Sequence, residues 1–209
     1  MAQVVFLGPP GAGKGTQAAI LGRELGLPHL STGDMLRAAV AAQTPVGRDA
    51  QRHMDAGALV PDAIVLGVLR ERLAQPDARA GFLLDGFPRN VAQATELADF
   101  ARLDAVIAFD LPFPELVERL SGRRVCPTCQ SVYNVVSQPP RVPGRCDREG
   151  AELVQRPDDL PAAVQTRLKV YAEQTAPLLL YYRERGLLRT LDARGRPEDV
   201  TARLRALLP

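Results

Sequence analysis

Short apolar runs alternate along the chain with longer segments whose apolar positions recur at helical spacing. Gln3–Leu7 (QVVFL), Phe82–Asp85 (FLLD), Ala105–Leu111 (AVIAFDL) and Leu187–Leu191 (LLRTL) are rich in apolar, β-branched or aromatic residues and are predicted to be strands, with Pro28–Leu30 a short fifth. Helices are predicted over Lys14–Leu25, Val91–Ala101, Glu115–Leu120 and Pro197–Leu208. Near-continuous apolar strands need cover on both faces, and strand–helix alternation gives parallel pairing. The pattern therefore predicts an α/β core around a parallel sheet.

Two stretches break the rhythm. Ser31–Val60 is largely helical but is interrupted by Gly33, Pro45, Gly47 and Gly57. Gly122–Arg156 is rich in Pro, Gly and Cys, and its alternating piece Ser131–Val136 suggests a small β-hairpin. Both read as insertions into the core. The second carries six arginines against three acids, a local excess of positive charge.

Composition narrows the class. The chain has 209 residues, 46% of them hydrophobic, enough for one substantial core with insertions. A net charge of +2 makes no case for nucleic acid or an anionic membrane. No apolar run reaches the roughly 18 residues of a membrane span, and the N-terminus lacks the pattern of a signal peptide. Three clustered cysteines suit a reducing compartment, so a cytoplasmic protein is expected, with a monomer as the default. Only Lys14 and Lys169 are lysine, against 24 arginines, so lysine is expected where a compact point charge on a slim stem serves better than a fork.

Lys14 closes Gly8-Pro9-Pro10-Gly11-Ala12-Gly13-Lys14-Gly15-Thr16, a loop that follows the first strand and opens a helix. Phosphate oxygens must reach several successive backbone N–H groups, and glycines leave room for them. The helix N-terminus adds partial positive charge, and a lysine here reaches the β- and γ-phosphates. The usual hydroxyl after the lysine is replaced by Gly15, with Thr16 one residue later, so Mg²⁺ would be held mainly by phosphates and water. Asp85, ending an apolar strand, is the expected carboxylate behind a metal-bound water.

Cys126-Pro-Thr-Cys129 and Cys146-Asp-Arg-Glu149 form C-x-x-C…C-x-x-E at the spacing of a four-ligand zinc site. A Cys126–Cys129 disulfide is disfavoured in a reducing compartment, and cysteines are poor members of a metal-free hydrogen-bonded cluster. Structural Zn²⁺ on Cys126, Cys129, Cys146 and Glu149 is expected, with Asp147 or water as alternatives to Glu149.

Three further segments make the pattern specific. Leu30-Ser-Thr-Gly-Asp-Met-Leu-Arg37 follows the first helix, and Asp85-Gly-Phe-Pro-Arg89 follows a strand, with Gln93 beyond it. Gly122-Arg-Arg124 opens the second insertion and Arg156-Pro-Asp-Asp159 closes it. With the glycine loop, these resemble the adenylate kinases in their long-lid bacterial form, over essentially the whole chain. The resemblance implies a P-loop NTPase-type core with a five-stranded parallel sheet (1–30, 61–121 and 160–209), an AMP-binding insertion (31–60) and a lid (122–159). It implies Mg²⁺-dependent phosphoryl transfer from ATP to AMP, giving two ADP.

By matching motif, the resemblance assigns Thr32, Arg37, the Ala58, Leu59 and Val60 segment, Gly86, Phe87, Pro88, Arg89 and Gln93 to AMP. Gly11, Ala12, Gly13, Lys14, Gly15, Thr16, Arg119, Arg123, Val132, Tyr133 and, through its backbone, Gly195 go to ATP. Arg156 and Arg167 would reach across the transferring group, with Lys14, Arg89, Arg123 and Asp85 completing the catalytic set. Thr32 and Gln93 favour adenine over pyrimidines as the acceptor base. Related lids carry Cys or Asp where Glu149 stands. His29 and His53 lie outside these motifs and are expected to be structural or surface residues. The Phe87–Pro88 bond, in a tight turn, is expected to be cis.

The chemistry fits the residue types without the family. The acceptor is already a phosphate oxygen, so alignment and charge neutralisation replace a protein nucleophile. A lid that closes only over both nucleotides excludes water as a competing acceptor. Other readings are another nucleoside monophosphate kinase, a GTP-dependent one, a small-molecule kinase, or a non-catalytic nucleotide-binding zinc module.

Overall fold

The computed structural model describes residues 2–209. The strands are β1 (Gln3–Leu7), β2 (His29–Ser31), β3 (Phe82–Asp85), β4 (Ala105–Asp110), β5 (Arg123–Val125), β6 (Val132–Asn134) and β7 (Leu188–Asp192). Five of them form one parallel sheet in the order β2-β3-β1-β4-β7. The helices are α1 (Lys14–Leu25), α2 (Thr32–Ala41), α3 (Pro45–Asp55), α4 (Asp62–Leu73), α5 (Val91–Ala98), α6 (Phe113–Ser121), α7 (Pro161–Val170), α8 (Pro177–Glu184) and α9 (Pro197–Arg205).

Strand alternation divides the interior into two cores. On β1, Val4 and Phe6 face one side while Val5 and Leu7 face the other. The first side packs Leu21 of α1, Leu116 and Leu120 of α6, and Val200 and Leu204 of α9. The second packs Leu66 and Leu69 of α4, Leu97 of α5 and Leu178 of α8. The central strands β1, β3 and β4 carry almost no polar residues because helices cover both of their faces.

The predicted strands and helices are present with shifted ends. α5 stops at Ala98 and α9 at Arg205, each earlier than their apolar spacing suggested. α6 starts earlier, at Phe113, with a proline in its first turn, where a missing N–H costs nothing.

Two helical regions were not anticipated. α4 has no side-chain cap and carries Gly67, so Asp62 in its first turn is a weak start signal. From Pro161 to Glu184 the chain runs as α7, a π turn at Tyr171–Thr175, then α8. In the π turn the Ala176 N–H donates to the Tyr171 carbonyl at 2.8 Å. Pro177, which has no N–H to donate, opens α8 directly after it.

The Cys-rich segment folds apart from both cores. β5 and β6 form an antiparallel pair, with Arg124 opposite Tyr133. Cys126, Tyr133, Cys146 and Leu153 make a third, small cluster. The way out of this segment is zipped to the way in: Val125 and Val154 exchange two backbone hydrogen bonds, each 2.9 Å.

Candidate active site

At the carboxyl end of the sheet, where ligands bind in open α/β folds, lies a cleft of about 1240 Å³. The glycine loop forms its floor. Gly13 caps α1 in a left-handed conformation (φ 92°), and Gly8 passes so close to β4 that a Cβ would stand 2.8 Å from the Phe109 carbonyl. Lys14 Nζ donates to the carbonyls of Gly8 (2.8 Å) and Pro9 (2.9 Å). Burial lowers its pKa to about 8; Asp85 opposes the shift, and Arg89, Arg167 and Arg123 add to it. Gly11, Ala12, Gly15 and Thr16 line the same floor.

Asp85 ends β3 beside Phe6 of β1, which brings its carboxylate under the loop. Burial raises its pKa, but the neighbouring His29 and the charge of Lys14 outweigh burial and hold it below the usual value. Gly15 lies close against Asp85. A Cβ there would stand 3.3 Å from Asp85 Oδ2, a contact tighter than side chains normally make. His29 also lines the cleft, its Nε2 3.9 Å from Asp85 Oδ2.

Thr32 opens α2, and its hydroxyl donates to the Gly86 carbonyl at 3.0 Å. Arg89 Nε donates to the same carbonyl at 2.8 Å, and the Arg89 carbonyl accepts from Thr175 of the π turn at 2.7 Å. Arg37 pairs with Asp34 at 2.5 Å, while its buried Nε has no hydrogen-bond partner among the described residues. Ala58, Leu59, Val60, Gly86, Pro88 and Gln93 lie on this side of the cleft. Phe87 does not: it is 1% exposed and packs in the second core, so only its backbone could serve a ligand. The Phe87–Pro88 bond is cis, as expected.

The opposite wall carries the remaining arginines. Arg123 forms a two-pronged pair with the fully buried Asp159, whose Oδ1 also accepts from Arg167 at 3.0 Å. Arg167 pairs with Asp158 at 3.0 Å, and Arg156 approaches Asp34 at 3.7 Å. Burial lowers Arg156 to about 10, with Arg37 and Arg123 adding to the shift. Burial also lowers Arg167 to about 10; Asp158 opposes this and Arg123 adds to it. Asp34, Asp158 and Asp159 fix the arginine geometry. None was singled out from the sequence, although all three lie inside quoted motifs, and an acid adjacent to a motif arginine was the available signal.

Arg119 donates to the Ala193 carbonyl at 3.2 Å and brings the Gly195 loop against the cleft. Val132 and Tyr133 reach the cleft rim, but the Tyr133 hydroxyl is engaged inside the Cys-rich segment. It accepts the Asp147 N–H at 2.9 Å and lies 3.5 Å from Cys146 Sγ.

The three cysteine sulfurs lie within 4.8 Å of one another, Cys129 and Cys146 at 3.5 Å. Zn–S bonds of about 2.3 Å in a tetrahedron put sulfurs about 3.8 Å apart. Burial opposes ionisation of the Cys146 thiol, but bonds from Tyr133 and from the Glu149 and Arg148 N–H groups bring its pKa down to about 6. Glu149 departs from expectation. It is exposed, its carboxylate lies outside the group of clustered ligand atoms, and what reaches Cys146 is its backbone N–H. The reason is local: the chain turns tightly here, with the Gly150 N–H on the Cys146 carbonyl at 2.9 Å. The Asp147 carboxylate is occupied by the Arg141 N–H at 2.8 Å.

A parallel sheet with a glycine loop after β1, a carboxylate ending β3 and arginines converging on one cleft define a P-loop phosphotransferase of the kinase type. Sequence comparison narrows this class. The sequence model of the adenylate kinase family matches residues 6–187, and the chain belongs to that family. It is 55% identical over 195 residues to an adenylate kinase from Moorella thermoacetica, covering 91% of this chain and 90% of the relative. It is 49% identical over 211 residues to one from Thermodesulfovibrio yellowstonii, covering 99% and 98%. One from Acidothermus cellulolyticus is 51% identical over 211 residues, covering 99% and 97%. Among the described residues no helix is long and apolar enough to cross a membrane.

Proposed function

We propose that this protein transfers the terminal phosphoryl group of ATP to AMP, giving two ADP, and does so reversibly. One observation carries the reading: Lys14, Arg37, Arg89, Arg123, Arg156 and Arg167 converge on a single cleft large enough for two nucleotides. Burial and the repulsion of neighbouring arginines disfavour the charged forms of Lys14, Arg156 and Arg167, which suits them to polyanionic substrates, whose phosphates would restore favourable charge.

In this reading, residues 31–60 hold AMP, residues 122–159 close over ATP, and the rest forms the core. The loop N–H groups from Gly11 to Thr16 bind the β-phosphate. Lys14 leaves the carbonyls of Gly8 and Pro9 for the β- and γ-phosphates. Arg37 and Arg89 hold the AMP phosphate, with Arg89 aimed by the Gly86 carbonyl. Arg123, Arg156 and Arg167 neutralise charge on the transferring group, positioned by Asp158, Asp159 and Asp34. The acceptor is AMP's own phosphate oxygen, attacking in line as the bond from the γ-phosphorus to the ADP leaving oxygen breaks. When bound with ATP, Mg²⁺ supplies charge neutralisation across the β- and γ-phosphates, and Asp85 is the residue that would hold its water.

The Cys-rich segment is read as a structural zinc site on Cys126, Cys129 and Cys146. The Cys129 N–H donates to Cys126 Sγ and the Glu149 N–H donates to Cys146 Sγ. This matched pair of turns supports Glu149 as fourth ligand after a side-chain rotation, with water as the alternative. Zinc would supply the cross-link that a segment of this size cannot obtain from its own core.

The test is a two-nucleotide assay on purified protein. ADP is expected to form only when ATP and AMP are both present, and ATP and AMP to form from ADP alone. Equal turnover with UMP, CMP or GMP, or ADP formation without a nucleoside monophosphate, overturns the reading.

A further inference from the structure

Asp62 opens α4 behind the wall of the cleft, and it does not itself line the cleft. Its carboxylate gathers two side-chain amides. Gln93 Nε2 donates to Asp62 Oδ1 at 2.6 Å, and Asn90 Nδ2 lies 3.2 and 3.1 Å from its two oxygens. The other end of each amide is also taken. Gln93 Oε1 accepts the Arg89 N–H at 2.7 Å, and Asn90 Oδ1 accepts the Gln93 N–H at 2.8 Å.

These contacts fix the sense of both amides by chemistry alone. A carboxylate only accepts and a backbone N–H only donates. Turning the Gln93 amide over would set oxygen against the Asp62 carboxylate and NH₂ against the Arg89 N–H. Gln93 is 1% exposed, so water cannot repair that mismatch. Its side chain nevertheless lines the cleft beside Thr32 and Val60. After the two fixed bonds the amide retains one N–H and one oxygen lone pair.

A donor on nitrogen and an acceptor on oxygen, in that fixed sense, match a 6-aminopurine, whose N1 accepts and whose exocyclic amine donates. A 6-oxopurine presents N1–H and a carbonyl oxygen, the reverse pattern, and needs the inverted amide. We propose that Asp62 is a specificity-determining positioning residue: by locking the sense of the Gln93 amide, it selects 6-amino over 6-oxo purine monophosphates as phosphoryl acceptors. The inference rests on the reading of Gln93 as the residue that meets the acceptor base.

The experiment compares kcat/KM for AMP and for inosine 5′-monophosphate in the parent protein and in three variants. Asp62→Asn keeps size but can donate as well as accept, so either sense of Gln93 is satisfied. It is expected to lower the AMP-to-IMP ratio about tenfold with little change in KM for ATP. Asp62→Glu keeps an acceptor-only group and is expected to retain most of the parent ratio. Gln93→Ala tests the underlying reading and is expected to lower the ratio at least as far as Asp62→Asn. If Gln93→Ala lowers the ratio and Asp62→Asn leaves it at the parent value, the role of Asp62 is overturned while Gln93 stands. Equal losses in Asp62→Asn and Asp62→Glu would show packing rather than donor–acceptor sense, and overturn it too. A parent ratio retained in Gln93→Ala removes the reading of Gln93 itself, and the inference with it.

Discussion

Lys14 shows at the residue scale how an isolated choice in the sequence becomes a physical constraint. Its slim stem lets the ammonium turn back onto two loop carbonyls, where a planar guanidinium would need a wider pocket. The cost is desolvation, which lowers its pKa from 10.5 to about 8. The sign follows directly. The folded protein disfavours the ammonium, so this cost to stability is fully present below pH 8 and is relieved as pH rises toward 10.5. Nucleotide phosphates favour the ammonium, so binding above pH 8 must draw a proton from solution. ATP affinity is therefore expected to fall as pH rises above 8, and calorimetry in buffers of different ionisation enthalpy should register proton uptake near pH 8.5. Binding that is independent of pH from 7 to 9.5 would contradict it.

Arg123 is the second residue-scale case. Its two-pronged pair with Asp159 needs a fork, and a lysine keeps the charge but not the geometry. Arg123→Lys is expected to lower kcat by about tenfold or more, and Arg123→Ala by about 10²–10³-fold, with little effect on KM for AMP. Steady-state kinetics with AMP varied at saturating ATP separates the two parameters. Unchanged turnover in Arg123→Ala would remove this residue from the transfer step.

Among the elements, the α2–α3 corner is set by a single hydrogen atom. A Cβ on Gly47 would stand 2.1 Å from the Ala39 carbonyl oxygen and 2.5 Å from the Val40 nitrogen, both rigid backbone. Thr44 ties the same corner, capping α3 through the Gly47 N–H at 3.0 Å and donating to the Ala39 carbonyl at 3.2 Å. Gly47→Ala is expected to destabilise the fold by about 1–3 kcal/mol and to raise KM for AMP, because this corner backs the helix that carries Arg37. Thermal denaturation and AMP kinetics on one sample check both effects.

Legibility also varied by element. The sheet was readable because β1, β3 and β4 are covered on both faces and carry almost no polar residues. α4 was not, since it has no cap and a glycine at its centre. The run from Pro161 to Glu184 was obscured by Pro177, which ordinarily ends a helix and here follows a π turn instead. In the site, contiguous motifs placed the glycine loop, Arg89 and Arg156 in the cleft. Phe87 shares such a motif but lies in the core, because the turn after β3, with Gly86 at positive φ, carries its side chain back onto the second core. Asp62 was illegible because it lies in no motif and its partner Gln93 is 31 residues away.

For the whole molecule, the separation of three hydrophobic clusters matters most. The sheet's two cores are large and share strands, whereas the Cys cluster stands alone with Tyr133 and Leu153. If zinc organises that cluster, stripping it should soften the segment and leave the sheet intact. Chelator treatment, or Cys146→Ser, is expected to reduce turnover at least about tenfold while the main thermal transition shifts little. Metal analysis showing no zinc in protein prepared without chelators would defeat the zinc reading.

The exchange of hydrogen bonds between Val125 and Val154 has a consequence for how such a chain can diversify. Because the two connections are fastened to each other at the base, whatever lies between them is a cassette. Its length, its cysteines and even its kind of cross-link can be exchanged, and the sheet registers no change in the spacing of its attachment points. Lineages could thus trade a metal clasp for a polar one by altering a few loop positions, with the arginines outside the clasp, Arg123 and Arg156, left where they stand.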